Sequence, residues 1–205
     1  MSRWIIGARP PLHVALELAN AGHHAAVASD GHTTEPDEWL NLTSTDPHRR
    51  RPPSIVRIQA PDLAAAQQQT ARIRAAATGE GYDSSDVIVL VDVEVMVAYD
   101  APTARRELTR LDGHLTAPSV PASLRYVGTP NGLAGLVADI HAVHVADGVT
   151  LRPLINSEVL AHIAFRTLPW LESIGVPLSP QQVAAVRRRA LRSGAGRCAD
   201  NRQPA

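Results

Sequence analysis

The clearest strand rhythm in the chain spans Asp86–Val97. It opens as a continuous apolar run and then alternates. Val91, Val93, Val95 and Val97 point one way, and Asp92, Glu94 and Met96 the other. A helical pattern precedes this stretch and another follows it. That order predicts a parallel sheet in an α/β fold.

The remaining elements fall around it. Leu12–Leu18 alternates and reads as a strand, with helix as the rival reading because Ala, Leu and Glu are good helix formers. A loop with His23 and His24 follows, then a short helix expected within Thr34–Ser44. Prolines and clustered charge make Asp46–Pro53 a joint. Ser54–Gln59 is a second strand. Pro61 is expected in the first turn of a helix running to about Ala77 and stopped by Gly79 and Gly81. A helix with Leu108 and Leu111 on its buried side follows Asp100-Ala101-Pro102. Leu115–Ser123 carries two prolines and reads as an irregular crossing. Thr129 is the expected N-cap of the next helix, with Pro130 in its first turn and Leu133, Leu136, Val137, Ile140 and Val143 as its stripe. Asp147–Pro153 is a short strand. Ser157–Ile174 is a closing helix, with Val159, Leu160, Ile163, Leu168 and Leu171 inward and a kink at Pro169. The composition shifts after Gly175. Residues 1–175 therefore read as one domain, and 176–205 as a basic helix over Gln181–Arg192 followed by a disordered tail.

Composition narrows the function classes. At 205 residues the chain has room for a real core, built from Ala, Val, Leu and Ile because it holds only one Phe, three Tyr and three Trp. The formal net charge is zero, which argues against nucleic acid or an anionic membrane as partner. Cys198 is the single cysteine, so no internal disulfide forms. There is no membrane-spanning apolar run and no secretory signal before Arg9-Pro10-Pro11, and a cytoplasmic protein is the default expectation.

Three stretches carry a family resemblance. They are the strand–helix unit from Val87 through Leu111, the run RYVGTPNGLAGLVADI from Arg125 with Asp147-Gly148 and a strand after it, and LHVALELANAGHHAAV near the start. Together they resemble the bacterial luciferase-like flavin-dependent monooxygenases, in the nitrilotriacetate and dibenzothiophene-sulfone branch. In such enzymes a Gly-Thr-Pro turn opens the helix before the last barrel strand. Ala28 and Ser29 stand where that branch has a Trp-Arg pair, and the family's phosphate turn has no match.

A complete barrel of eight units takes about 250 residues. The resemblance supplies a first strand and the last three, which are neighbours in a closed barrel. It implies a partial, half TIM-type barrel of about four parallel strands, ordered Ser54 strand, Asp86 strand, Asp147 strand, Leu12 strand, with helices on one face. By the same resemblance the chain is a flavin-dependent monooxygenase. It would use reduced flavin mononucleotide (FMN), or a deazaflavin, fed by a separate flavin reductase, and oxygenate a small organic substrate. The alternative is a non-catalytic or vestigial relative that binds a partner or its own copy, two half-barrels completing one another as a homodimer.

Each strand carries one polar set: His13 and Glu17; Arg57 and Gln59; Asp92 and Glu94; Thr150 and Arg152. Helices cover the apolar face, so these residues face the lumen side. Either that face is open and wet, or it lines a ligand cavity in which ions must pair. The resemblance makes His23 and His24, at the C-terminal end of the first strand, the candidate proton donors. It makes Asp92, Glu94 and Arg152 the candidates for holding cofactor or substrate. His141 and His144 have a metal-like spacing, but no third ligand accompanies them and no metal is expected. The Arg187-Arg188-Arg189 run reads as a solvated face.

Overall fold

The computed structural model describes residues 11–19, 22–28, 38–44, 53–83, 86–115 and 121–200. Its centre is strand β4 (Val87–Val97). The other strands are β1 (His13–Leu18), β2 (Glu38–Asn41), β3 (Ser54–Ile58), β5 (Leu124–Gly128) and β6 (Gly148–Pro153). The sheet order is β2-β1-β6-β4-β3, with β5 paired to β4. The four expected strands therefore lie side by side in the expected order, all parallel.

Two strands were not anticipated. Residues 38–41 are not helical: β2 runs antiparallel to β1 and covers its outer edge. Trp39 and Leu40 fall on opposite faces of the sheet there, so pairing and burial override local helix preference. Strand β5 lies where only a boundary was read. It uses the same edge of β4 as β3, because β6 holds the other. β3 pairs with Val87–Val91 and β5 with Val93–Val97, so β4 is flanked by two strands in succession along one side.

Helices α1 (Ala25–Ala28), α2 (Leu63–Gly79), α3 (Ala101–Asp112), α4 (Pro130–Ala142), α5 (Ser157–His162), α6 (Leu168–Ser173) and α7 (Pro180–Asp200) complete the chain. Caps fix their starts. Asp62 accepts from the Ala65 N–H, so Pro61 precedes the N-cap instead of opening the helix. Asp100 accepts from Thr103 and Thr129 from Gly132, as Ser, Thr and Asp do at N-caps. Pro169 falls in the first turn of α6. The closing helix is interrupted before it, by a π-helical turn at Ile163–Thr167 between α5 and α6. His141 lies on α4, but His144 lies beyond its end with φ of 59°, so the pair does not share a helix face.

The main core forms between the sheet's apolar face and the helices. Val14, Leu16, Val91, Val93, Val95, Val149 and Leu151 meet Leu133, Val137, Ile140, Leu160, Ile163 and Leu168. Leu111 is buried and Leu108 packs at its margin, while Val143, expected inward, is exposed. α7 joins the same core through Val183, Val186 and Ala190, and continues past Arg192, where its end was expected. The disorder expected over Ser193–Ala205 gives way to helix as far as Asp200, and residues 201–205 lie outside the described residues.

The opposite face carries a second, smaller apolar cluster. Ala15, Ile88 and Leu90 are buried there, with Trp39 and Ile55 packed on them. Ile55, Ile88 and Leu90 lie toward the N-terminal ends of their parallel strands and the charged residues toward the C-terminal ends, while Trp39 on β2 stands level with Glu17.

Candidate functional site

The charged residues of this face meet as one group. Arg57 on β3 donates to both Asp92 oxygens, from Nε at 3.1 Å and Nη2 at 2.9 Å. It also reaches Glu17 on β1, from Nη1 at 3.0 Å and Nη2 at 2.9 Å. β4 and β6 lie between these strands, so a flat sheet would hold them about 14 Å apart. Side chains standing perpendicular to such a sheet would not meet. The bonds exist because the sheet is curled into a half-barrel, concave on this side.

Arg152 on β6 donates from Nε to Glu17 Oε2 at 2.7 Å, and from Nη2 to His23 Nδ1 at 3.2 Å. The His23 Nε2–H donates to the Glu17 carbonyl at 3.1 Å. A carbonyl only accepts, so the proton sits on Nε2 and Nδ1 carries the lone pair that Arg152 meets. The loop that places His23 is tied to β6: His23 N–H donates to Pro153 O and His24 N–H to Leu154 O. Gly22 makes this approach possible. Its φ is +130°, and a Cβ there would lie 2.2 Å from Leu154 O.

Across β4, Arg125 on β5 donates from Nε to Glu94 Oε2 at 2.8 Å. Its Nη2 reaches the same oxygen at 2.7 Å. Arg125 was missing from the sequence-based candidates because β5 was not recognised. Alternation in Leu-Arg-Tyr-Val-Gly was the available signal. The face thus holds Glu17, Asp92 and Glu94 against Arg57, Arg125 and Arg152, and its formal charge cancels.

His24 stands apart from this group. Its Nδ1 accepts from the Ala26 N–H, and its Nε2–H donates to Asp112 at the end of α3 at 3.0 Å. The ring is buried and holds the loop to α3. The structure therefore brings His23, Glu17, Asp92 and Arg152 together around Arg57, sets Glu94 beside them, and places His24 elsewhere. Among the described residues no group of three His, Cys, Asp or Glu side chains has a metal-binding arrangement, and no helix is long and apolar enough to cross a membrane.

The carboxylates differ in what remains free. Asp92 uses both oxygens on Arg57, with Gln59 adding to one of them, and Glu17 uses both on Arg57 and Arg152. Glu94 bonds through Oε2 only, so Oε1 has no partner among the described residues. Arg152 likewise keeps Nη1 unengaged among them. Glu94 and Arg152 are direct cross-strand partners, so a carboxylate with a free oxygen and a guanidinium with a free nitrogen rise from neighbouring positions on β4 and β6.

Burial alone would raise the Glu17 pKa, but the Arg57 and Arg152 guanidiniums outweigh it and hold the carboxyl below its ordinary 4.5. Hydrogen bonding to Glu17 raises Arg57 correspondingly, against desolvation. A folded-state pKa below the unfolded one adds stability above pH 4.5 that is lost as pH falls through the lowered value. Urea melts across the acid range should show this. The wild type should lose stability more steeply below pH 4.5 than Glu17→Gln, and parallel curves would remove Glu17 from the acid response.

No protein-family model matches the sequence, and no curated protein matches it. Solved structures do. EDTA monooxygenase from Chelativorans sp. BNC1 aligns with a TM-score of 0.52 at 16% identity, over 67% of this chain and 46% of its own. Riboflavin lyase, solved with modified FMN and riboflavin, aligns at 0.53 and 15% identity, over 62% of this chain and 40% of its own. Long-chain alkane monooxygenase aligns at 0.53 and 14% identity, over 68% and 41%. The chain thus spans less than half the length of these structures. It has, over that length, the fold of the luciferase-like flavin monooxygenases, as its strand order led us to expect.

Proposed function

We propose that this shortened barrel is a flavin-dependent oxidoreductase of the monooxygenase type, acting on a small organic substrate with FMN reduced by a separate enzyme. The observation that carries the reading is a carboxylate with one free oxygen, Glu94, on β4 directly opposite a guanidinium with one free nitrogen, Arg152, on β6, toward the C-terminal end of the concave face. The imide edge of a flavin presents an N–H next to carbonyl oxygens. A carboxylate that accepts beside a guanidinium that donates complements that edge, and barrel enzymes bind at this end of their strands. The residues present therefore fit the group. The partly matched folds, one solved with a modified FMN, agree in kind.

When bound, the reduced flavin supplies the electrons that activate dioxygen. The chain's part is to bind and orient it. Glu94 and Arg152 hold the imide edge. Arg125 fixes Glu94, and Glu17 with His23 fixes Arg152. Asp92 does not reach the ring in this reading; it anchors Arg57, which ties the strands together. His23 Nδ1 accepts from Arg152, so it takes a proton only by parting from that guanidinium, and His24 steadies the loop that carries it.

Titrating the purified protein with oxidised FMN, reduced FMN and a deazaflavin tests this directly. Saturable binding is expected at micromolar flavin, weakened about tenfold in Glu94→Gln, whose amide can turn a donor toward the imide N–H. Absence of binding up to millimolar, or an unaffected Glu94→Gln, would sink the reading. The outer edge of β3 is unpaired among the described residues and favours the second one, a non-catalytic module that pairs with its own copy. Failure of all three titrations together with a dimeric mass would select it.

A further inference from the structure

Helix α2 packs on β4, and the space between its last turns and β3 stays open. A cavity of about 710 Å³ lies there, at the N-terminal ends of β3 and β4. It is on the helix-covered face of the sheet, with Ser54 and Val56 in register with Val87 and Val89, so the sheet separates it from the ion-pair group. Small-molecule sites have volumes of about 300–1,000 Å³. The walls are apolar: Val56, Ile73 and Val87 pack on the margin of the main core and remain half-buried. The rim is acidic. Glu80, Tyr82 and Asp86 line it, and among the described residues no Arg, Lys or His does. The end of α2 brings these groups there. Gly81, with φ of +84°, reverses the chain in a Schellman turn, its N–H donating to Thr78 O and the Tyr82 N–H to Ala77 O. Glu80 is the C-cap residue. That is the negative end of the helix dipole, where a cation is favoured and a carboxylate is not, and the last turn of α2 holds no basic residue to offset it.

We propose that this cavity binds a small organic cation, an ammonium group carried on an apolar alkyl or aryl body. The body rests on Val56, Ile73 and Val87 and takes their exposed surface out of water. The head meets the Glu80 and Asp86 carboxylates and the Tyr82 ring, which is 42% exposed and attracts cations to its face. The carbonyl end of α2 adds to the same field. A contrast with the concave face decides the sign of the ligand. There every carboxylate meets an arginine. Here the lining holds two carboxylates and no cationic side chain, so it repels an anion and favours a cation over a neutral molecule of the same shape. The flavin reading plays no part in this, since the two places lie on opposite faces of the sheet and toward opposite ends of its strands.

Calorimetry on the full chain without flavin tests this with three probes of one shape: 4-phenylbutylammonium, 4-phenylbutanol and 4-phenylbutyrate. The ammonium should bind saturably, about tenfold tighter than the alcohol, and the butyrate should not bind. Glu80→Gln and Tyr82→Leu should each weaken the ammonium about threefold, and Glu80→Gln should leave the alcohol unchanged. Added salt should bring the ammonium toward the alcohol, because the rim is exposed. Ala76→Trp fills the cavity from an exposed position on its wall, and should abolish binding of both while the chain still melts cooperatively. No saturable ammonium binding up to about 10 mM, equal binding of the three probes, or an unchanged ammonium affinity in the Glu80→Gln, Tyr82→Leu double variant each overturns the proposal. So does a dimer that Ala76→Trp dissociates while the ammonium fails to bind, which would make the cavity an interface between copies. Flavin affinity should be the same in Glu80→Gln as in the wild type. A protein that binds the ammonium but no flavin refutes the redox reading alone.

Discussion

Gly148→Ala will leave the chain unable to form its sheet. A Cβ at this position would lie 1.8 Å from the His13 carbonyl oxygen and 2.6 Å from its carbon, both backbone atoms with nowhere to move. Gly148 sits between β1 and β4, paired with His13 on one side and Leu90 on the other. Relief on one side would open the β1–β6 or β4–β6 pairing, and each carries core valines and leucines. The expected cost exceeds about 4 kcal/mol, a large part of the stability of an ordinary domain. Insoluble expression or loss of near-ultraviolet dichroism is the readout. Gly135→Ala is the control. It lies within α4 with open space around its Cβ, and should stabilise by about 1 kcal/mol. A soluble, cooperative Gly148→Ala would mean that the strands are spaced differently from the description above.

Arg57→Met is the second large effect. It leaves the Asp92 carboxylate buried without its cation, and Glu17 with Arg152 alone. Removing one partner of a buried pair costs about 3 kcal/mol or more, and the low end applies because Arg57 remains 31% exposed. Adding Asp92→Leu should recover most of that loss, since the stranded charge disappears with it. Urea unfolding of the two variants and the wild type measures both steps. A loss below about 1 kcal/mol in Arg57→Met would class the group with solvated surface pairs. That result would favour the open, wet face that the alternating polar residues also permitted.

What the sequence disclosed follows from which signals are local. The Val91 to Val97 alternation, the Thr129-Pro130 cap and the inward set of the closing helix depend on neighbours in the chain, and all were readable. The order of β3, β4, β6 and β1 was readable for another reason, a resemblance whose first and last strands must adjoin. β2 was hidden because Glu-Trp-Leu-Asn has no strand rhythm of its own and gains its form from the edge of β1. Hiding β2 hid Trp39, and missing β5 hid Arg125. His23 and His24 are identical neighbours in the sequence, and only the fold sends one ring to Arg152 and the other to Asp112.

The pairing of β1 with β6 has a consequence during synthesis. His13–Leu18 emerges from the ribosome early, but its parallel partner Gly148–Pro153 emerges far later. At roughly 5–20 residues per second this leaves many seconds in which Val14, Leu16 and Leu18 have no lasting cover. β2 is the one neighbour of β1 made soon afterwards, and its antiparallel ladder can form while the rest is still being translated. The β1–β2 pair then acts as a holding arrangement for the nascent chain. The sheet itself closes only when the last strand arrives, so its rate is governed by long-range encounter and not by local structure.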